Sequence, residues 1–410
     1  MNRSHKFVLA LGVTLASGVV GAQSSDTVRP QYEIPSGKAS ADGPLGMQVG
    51  EGLYVFPYVK LGVGRDDNLF ITSTNEKDSA VSLLAPGLAL EMRRPTSLFR
   101  FSWDAQAARY HSSKEDSYVD HQLRGSGEFA FTTRAGLRLG LLTERGHDAR
   151  GLTDRDVSNR PDHFRNDGGN ALFAFGGNAA KGRVEIEAGT YRKHYDNNRA
   201  ITQFADRDSD NVRGAFYWRV MPKTSLLIEA SQNEYDYSAQ TSTLDSKERR
   251  YMGGVTWEAT AATTGTVKIG KLKKEFQSAV RQNFSATNWE IAVQWAPRTY
   301  SKFDFFTQKT TNESTGIGDF ILTKRSGIAW THGWNSVFST TANYTYSDDE
   351  YRGVGVTRND DTDALGFKLN YKMRRWLTLG ADYIYTDRDS NQPQYRYKRN
   401  QLMFTLGATL

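Results

Sequence analysis

The chain has no cysteine among its 410 residues, so no disulfide stabilises it and no thiolate is available for catalysis. Small secreted folds usually depend on disulfides. A large closed sheet does not, because its backbone hydrogen bonds are satisfied within the sheet itself.

Long apolar runs are also absent after the first residues of the chain. A helix needs about 20 apolar residues to cross a membrane, and the mean hydropathy of the chain is −0.60. These observations exclude a helical membrane protein. A soluble exported protein and a membrane β-barrel both remain, because the strands of a barrel alternate and average out to polar.

The first residues have the pattern of a secretion signal. Arg3 and Lys6 form a short basic start, residues 7–20 form an apolar run, and Ala22 ends a site of small residues. The run is too short for a spanning helix. We therefore predict that residues 1–22 form a signal peptide that is cleaved on export.

No block of basic residues follows the signal. The chain has 52 basic and 46 acidic side chains. Arg3 and Lys6 leave with the signal, so the mature chain carries 50 minus 46, or +4. The charges of both signs are interspersed, which argues against nucleic acid as a partner.

Apolar and polar residues alternate with a period of two over many segments. Phe99, Phe101 and Trp103 alternate with Arg100 and Asp104, which places one row in lipid and the other in water. The same pattern begins again at the following positions: Leu137, Val184, Trp289 and Leu365. A soluble two-sheet sandwich would also alternate. The segments run for about 10 to 18 residues, however, longer than soluble strands and suited to a tilted span.

Short and long connections alternate strictly along the chain. Eight short connections and nine long, polar loops predict roughly 18 strands, with 16–18 as the range. The fold class is therefore all-β: a transmembrane antiparallel up-and-down barrel with short periplasmic turns and longer extracellular loops. We place the barrel at residues 53–410. Residues 23–52 lack alternation, and we expect them to form a periplasmic tail or a partial plug.

The last strand gives a separate signal. Leu402, Phe404, Leu406, Ala408 and Leu410 alternate with polar residues to the end of the chain. An amphipathic last strand with an apolar end resembles the signal that the outer-membrane assembly machinery reads in barrel proteins. It could also simply close the sheet, and both roles are compatible.

No pattern of catalytic or metal-binding residues stands out. The mature chain has few histidines, and none has the spacing of a dedicated metal site. Acidic clusters such as Asp348-Asp349-Glu350 are interleaved with arginine along the loops, which is typical of solvated ion pairs. We expect no catalytic residues, no metal site and no cofactor.

The polar rows of the strands are the better functional candidates. Charges of both signs on a wide wall pair with each other and hold water, which is typical of a hydrophilic pore without strong ion preference. They could instead fill a closed lumen and only stabilise it. The predicted pore-lining residues are Arg100, Asp104, Arg124, Glu128, Arg138, Glu144, Glu185, Glu187, Glu229, Glu258, Lys268, Glu290, Lys302, Asp304, Lys368 and Asp382.

Several aromatic residues lie in or beside the long loops. They could stack on sugar rings, but we expect most of them to form the outer aromatic girdle at the membrane interface. They are Tyr195, Phe204, Tyr235, Tyr237, Tyr346 and Tyr351.

The chain resembles the “putative β-barrel porin 2” family of proteobacterial outer-membrane barrels. The residues that carry the resemblance are the run from Arg65 to Phe70, the segment Ala85-Pro86-Gly87-Leu88 and Tyr110. The resemblance implies a barrel of this size that works with polysaccharide machinery of the periplasm and inner membrane. It implies no catalytic residues, and the Asp66-Asp67-Asn68 motif is interpreted as a structural feature of the first extracellular loop.

The leading hypothesis is therefore an outer-membrane conduit, embedded in outer-membrane lipid, that exports a polysaccharide together with periplasmic export proteins. The alternative is a general or sugar-selective diffusion porin that passes small solutes through its lumen. A structural or adhesin-type surface barrel is a further alternative. We do not expect an enzyme.

Overall fold

The computed structural model describes residues 46–409 except 154, 156, 157, 178, 179, 259–261 and 315. The predicted signal peptide, most of the predicted tail and the terminal Leu410 lie outside the described residues. Within them, no helix is long and apolar enough to cross a membrane.

The described part of the chain is almost entirely β-structure. Its only α-helix is α1 (Arg199–Thr202), and short 3-10 turns lie at Lys114–Asp116, Gln203–Ala205 and Pro393–Tyr395. The strands are β1 (Met47–Gly50), β2 (Leu53–Asp66), β3 (Ser79–Arg94), β4 (Ser97–Tyr110), β5 (Tyr118–Ala130), β6 (Ala135–Asp148), β7 (Asp162–Phe175), β8 (Gly182–Tyr195), β9 (Arg207–Met221), β10 (Thr224–Tyr237), β11 (Ser246–Trp257), β12 (Thr263–Phe276), β13 (Phe284–Arg298), β14 (Ser301–Glu313), β15 (Phe320–Gly333), β16 (Phe338–Arg352), β17 (Asn359–Arg374), β18 (Leu377–Ser390) and β19 (Tyr397–Thr409).

The strands close into a barrel. From β2 to β19, each strand pairs antiparallel with the next, and β19 returns to pair with β2, from Gln401–Asp66 to Thr409–Tyr58. Of the nineteen strands in the described residues, all but β1 form the barrel, which confirms the prediction of roughly eighteen strands. The connections also alternate as predicted: residues 95–96 and 222–223 form short turns, and residues 67–78 form a long loop. We call the two ends of the barrel the short-turn end and the long-loop end.

β1 lies within the segment that the sequence analysis assigns to the tail. Met47–Gly50 turns back through Gly52 and pairs with the first residues of β2. β19 covers β2 only as far as Tyr58, so β1 supplies backbone partners to the stretch of β2 that β19 leaves open. Only four residues take part, which is too few for the alternation to be visible in the sequence.

The two faces of the wall follow the predicted alternation. Outward apolar side chains such as Leu141 and Ile228 are 70% and 64% exposed, as expected for residues that contact lipid. On the other face, Lys268 of β12 forms an ion pair with Glu229 of β10 across β11. Side chains of strands that are not neighbours meet most readily on the concave side of a barrel. The polar rows therefore face the lumen.

Candidate functional site

Arg213 of β9 is the centre of an ion-pair network on the inner wall. Its guanidinium bonds Glu185 and Glu187 of β8 at 3.2 and 3.1 Å and Glu229 of β10 at 3.3 Å. Arg213, Glu185 and Glu187 are all buried. The register explains the meeting: Glu187 lies directly opposite Arg213 on the neighbouring strand, so both side chains leave the sheet on the same face.

The network continues around the wall to β13. Lys268 bonds Glu229 at 3.2 Å and Glu290 at 2.5 Å. Arg250 of β11 bonds Glu290 at 3.5 Å and Glu248 at 3.3 Å. We call this set the mid-wall ladder; it comprises Glu185, Glu187, Arg213, Glu229, Lys268, Glu290, Arg250 and Glu248. The set holds five carboxylates and three cations, and Arg183, which pairs with Glu185 at 2.8 Å, reduces its net charge from −2 to −1.

A second group of ion pairs lies near the short-turn end. Arg100 bonds Glu91 at 3.0 Å and Glu128 at 3.1 Å, and Arg138 is 3.6 Å from Glu128. Arg93 also pairs with Glu91. This group, the short-turn ladder, connects β3, β4, β5 and β6.

The remaining predicted residues lie outside the two ladders. Lys302 and Asp304 pair at 3.0 Å, and Lys368 and Asp382 are 3.6 Å apart. Glu144 accepts a 3.4 Å hydrogen bond from Asn166. Asp104 of β4 and Arg124 of β5 interact electrostatically. The last of the predicted residues is Glu258.

Glu258 differs from the other predicted pore-lining residues. It follows the end of β11, it is exposed, and its backbone N–H donates to the carbonyl of Lys223 at 2.8 Å. It therefore lies in a turn at the short-turn end rather than on the strand wall. The alternation of the sequence does not reveal where a strand stops, which explains the difference.

The pairing of β13 with β14 stops before the long-loop end of the barrel wall. Their pairing runs toward the long-loop end only as far as Trp289–Lys309. Beyond that point β14 stays paired with β15, and the Glu313 carboxylate accepts from Tyr237 of β10 at 2.8 Å and from Lys274 of β12 at 2.5 Å. Three wall strands separate β10 from β14. The end of the β14–β15 hairpin therefore leans inward, over the lumen.

Further contacts hold the hairpin in this position. Thr311 donates to the carboxylate of Glu248 in the mid-wall ladder. Phe320 packs against Phe276 and Phe284, with ring centroids 6.3 and 5.0 Å apart. We call the polar contacts of Thr311 and Glu313 with β10, β11 and β12 the hairpin tie.

Arg155, in the connection between β6 and β7, also folds back onto the barrel. Arg155 bonds Asp148 at 3.0 Å and Asp162 at 2.8 Å, and Tyr195 donates to Asp148 at 2.7 Å. Burial by itself would lower the pKa of Arg155, but Tyr195 and the two carboxylates outweigh it and raise that pKa. Arg155 is therefore a permanent charge that fixes this loop at the rim.

The prediction that the loop aromatics form an outer aromatic girdle is wrong for most of these residues. Tyr195, Tyr237 and Tyr351 are buried, and the ring of Tyr235 lies 4.6 Å from the Lys274 ammonium. Because the strands extend further than the sequence analysis assumed, these residues lie on their inner face. The other two are Phe204 and Tyr346. Phe204 is half exposed in a loop. The Tyr346 hydroxyl of β16 donates to Asp361 on the neighbouring strand β17.

The Asp66-Asp67-Asn68 motif closes the barrel. Asp66 accepts from Arg399 of β19 at 3.0 Å, and both side chains are buried. Asp67 accepts from the Asn400 backbone N–H at 2.6 Å, and Asn68 donates to the Lys398 carbonyl at 2.8 Å. These contacts fit the structural role that the sequence analysis gave the motif, and they locate it at the seam of the first and last barrel strands.

Several wall residues were missed by the sequence analysis. Arg213 alternates with Val212 and Gly214 exactly as the predicted residues alternate with their neighbours, so the pattern could have revealed it. Glu313 and Lys274 could not be found in that way, since nothing in a strand pattern shows that a hairpin leans inward. Among the described residues, no three side chains of histidine or acidic residues are placed to share a metal ion.

The chain matches one family model and is similar to several solved structures. The family model described as “Putative beta-barrel porin 2” matches residues 41–409. No curated protein sequence matches the chain. Similar solved structures include OccAB2 of Acinetobacter baumannii (12% identity, 87% of this chain and 98% of that chain, TM-score 0.49) and a BenF-like porin from Pseudomonas fluorescens Pf-5 (7% identity, 87% and 99%, TM-score 0.49).

Proposed function

Because the chain belongs to the “Putative beta-barrel porin 2” family and is an outer-membrane β-barrel porin, we propose that it is a diffusion channel for small polar solutes. The observation that carries the proposal is the hairpin tie. Glu313 of β14 reaches Tyr237 of β10 and Lys274 of β12, which narrows the lumen toward the long-loop end.

A narrowed lumen favours small solutes over a polymer. An exported polysaccharide chain needs a passage that stays open along the whole barrel, whereas the leaning hairpin occupies part of this one. The family description, a porin, also favours diffusion. Polysaccharide export with periplasmic partners, the leading hypothesis of the sequence analysis, therefore becomes the second choice and remains a prediction.

The inner wall indicates which solutes could pass. In the mid-wall ladder each carboxylate has a cationic partner, as in the contacts of Glu229 with Arg213 and Lys268. Such a wall offers hydrogen-bond donors and acceptors but little net charge. We infer a preference for uncharged or zwitterionic polar molecules, with weak selection between small cations and anions.

The test is conductance of the mature protein in a planar bilayer, combined with swelling of liposomes in sugars of increasing size. The informative variant combines Lys274→Gln with Glu313→Gln, which breaks the ion pair of the tie without leaving one buried charge alone. We expect the wild-type protein to conduct and to pass monosaccharides. We expect the double variant to conduct more and to pass larger sugars.

A matched control is the pair Lys324→Gln with Asp348→Asn. This ion pair of 2.8 Å lies on the outer face of β15 and β16 and is partly exposed, so its loss should leave conductance unchanged. Absence of conductance from both the wild-type protein and the tie variant would contradict the proposal. Loss of surface polysaccharide in a deletion strain, with polymer retained in the periplasm, would then favour export.

A further inference from the structure

The outer surface of β11, β12 and β14 carries a group of cations toward the long-loop end. Toward the long-loop end, the outward apolar row ends at Tyr251 on β11 and at Ile269 on β12, which are 53% and 60% exposed. The next outward residues are Arg249 on β11 and Lys271 on β12. On β14, the outward residue Lys309 lies opposite Trp289 of β13. One step further come Lys247 and Lys273. We call these five residues the basic arc: Lys247, Arg249, Lys271, Lys273 and Lys309.

The protein itself compensates only part of the basic arc. Lys247 pairs with Glu234 at 2.7 Å and Arg249 with Glu275 at 2.8 Å. Lys271 and Lys273 are exposed, and within the part of the chain that the structure describes neither has a carboxylate at ion-pair distance.

The register brings like charges together within the arc. Arg249 lies directly opposite Lys273 in the β11–β12 pair, and like charges in such positions destabilise a sheet. Toward the long-loop end of β16, β17 and β18 the outward residues are instead acidic, with Asp348 opposite Asp361 and Asp363 opposite Asp387. The cations of the arc therefore repel one another within this sector of the outer surface, where an added anion would relieve their repulsion.

We propose that the basic arc binds the phosphate groups of a lipid in the outer leaflet. The long loops of such barrels face the outside, so the arc lies just above the apolar band, at the level of the outer-leaflet headgroups. Trp289 and Tyr251 lie at its lower edge, opposite Lys309 and Lys271, as aromatic residues do at a membrane interface. Basic clusters at this level are recognition sites for anionic lipids.

The test is titration of the purified barrel, in neutral detergent, with lipid A that carries two phosphates, with bound lipid counted by native mass spectrometry. The variant combines Lys271→Gln with Lys273→Gln. We expect its affinity for lipid A to fall about tenfold, since each cation near an anionic headgroup contributes to binding. Lipid A from which both phosphates have been removed should bind the wild-type protein as weakly as the variant binds the phosphorylated form.

The matched control combines Lys324→Gln with Lys398→Gln. These outward lysines also lie toward the long-loop ends of their strands, but Asp348 and Asp387 neutralise them at 2.8 and 3.3 Å, so we expect wild-type affinity. Substitution of Lys271 and Lys273 by arginine should also preserve binding, which guards against a folding defect in the glutamine variant. Equal losses in both glutamine pairs, or no loss in either, would overturn the proposal.

Discussion

Arg213 has three carboxylate partners and almost no contact with solvent. A buried arginine in this position is a weak source of net stability by itself, because both signs of charge lose their hydration when they pair. Removal of the Arg213 side chain has a larger effect on stability. Without the guanidinium, Glu185 and Glu187 would lie side by side on the inner face of β8 and would lose the cation that they share, while Glu185 would keep Arg183 at 2.8 Å.

We therefore expect Arg213→Met to lower the free energy of unfolding by about 3–5 kcal/mol, the usual effect of breaking a buried pair on one side only. Urea unfolding of the barrel in lipid vesicles measures the change. The control is Arg192→Met, because Arg192 is exposed on the outer surface and pairs with Asp208, which is also exposed to solvent. Similar unfolding midpoints for the two variants would show that the mid-wall ladder is not a structural unit.

At the scale of the strand, the sequence predicts which side chains of the barrel wall face the lumen, but it does not predict which segments lean into the lumen. The alternation of Phe99 and Phe101 with Arg100 assigns the faces of β4 because a strand has a period of two. The inward lean of the β14–β15 hairpin depends on Glu313 meeting Lys274, two residues on strands that are not neighbours. No local pattern encodes such a contact, so the candidate site was predicted as a wall but not as a constriction.

The hairpin of β1 and β2 depends on one glycine. Gly52 has a φ of +70°, and a Cβ there would lie 2.3 Å from the backbone oxygen of Arg93. We expect Gly52→Ala to cost at least 1–2 kcal/mol locally, from the left-handed conformation alone, and to release β1. Faster amide hydrogen exchange at Val55, whose N–H points toward β1, reports the loss when it is measured by NMR or mass spectrometry.

Gly50→Ala is the matched control for this hairpin. A Cβ at Gly50 would meet only the Leu53 side chain, at an ordinary 3.8 Å, so β1 should stay paired. Exchange that rises equally in both variants would mean that the short length of β1, and not the turn at Gly52, limits its stability.

At the scale of the whole molecule, the barrel closes only if its last strand pairs with its first. Every other pair of neighbouring strands is joined by a connection in the chain, but β19 and β2 are distant in sequence and must associate as separate segments. The Asp66–Arg399 ion pair and the hydrogen bonds of Asp67 and Asn68 to β19 lie at the long-loop end of that seam. They fix the register in which the barrel closes.

We expect Asp66→Ala to destabilise the closed barrel by about 3–5 kcal/mol, because it leaves the buried Arg399 guanidinium without its carboxylate. The loss should be local at first: amides of β2 and β19 should exchange faster than amides of β10, far from the seam. The adjacent Arg65→Ala is the control, since Arg65 pairs with Asp78 on the exposed outer face and such pairs contribute only about 0–1 kcal/mol. If Asp66→Ala instead speeds exchange evenly around the barrel, closure does not depend on the motif, and the register of β19 must be fixed by its apolar alternation alone.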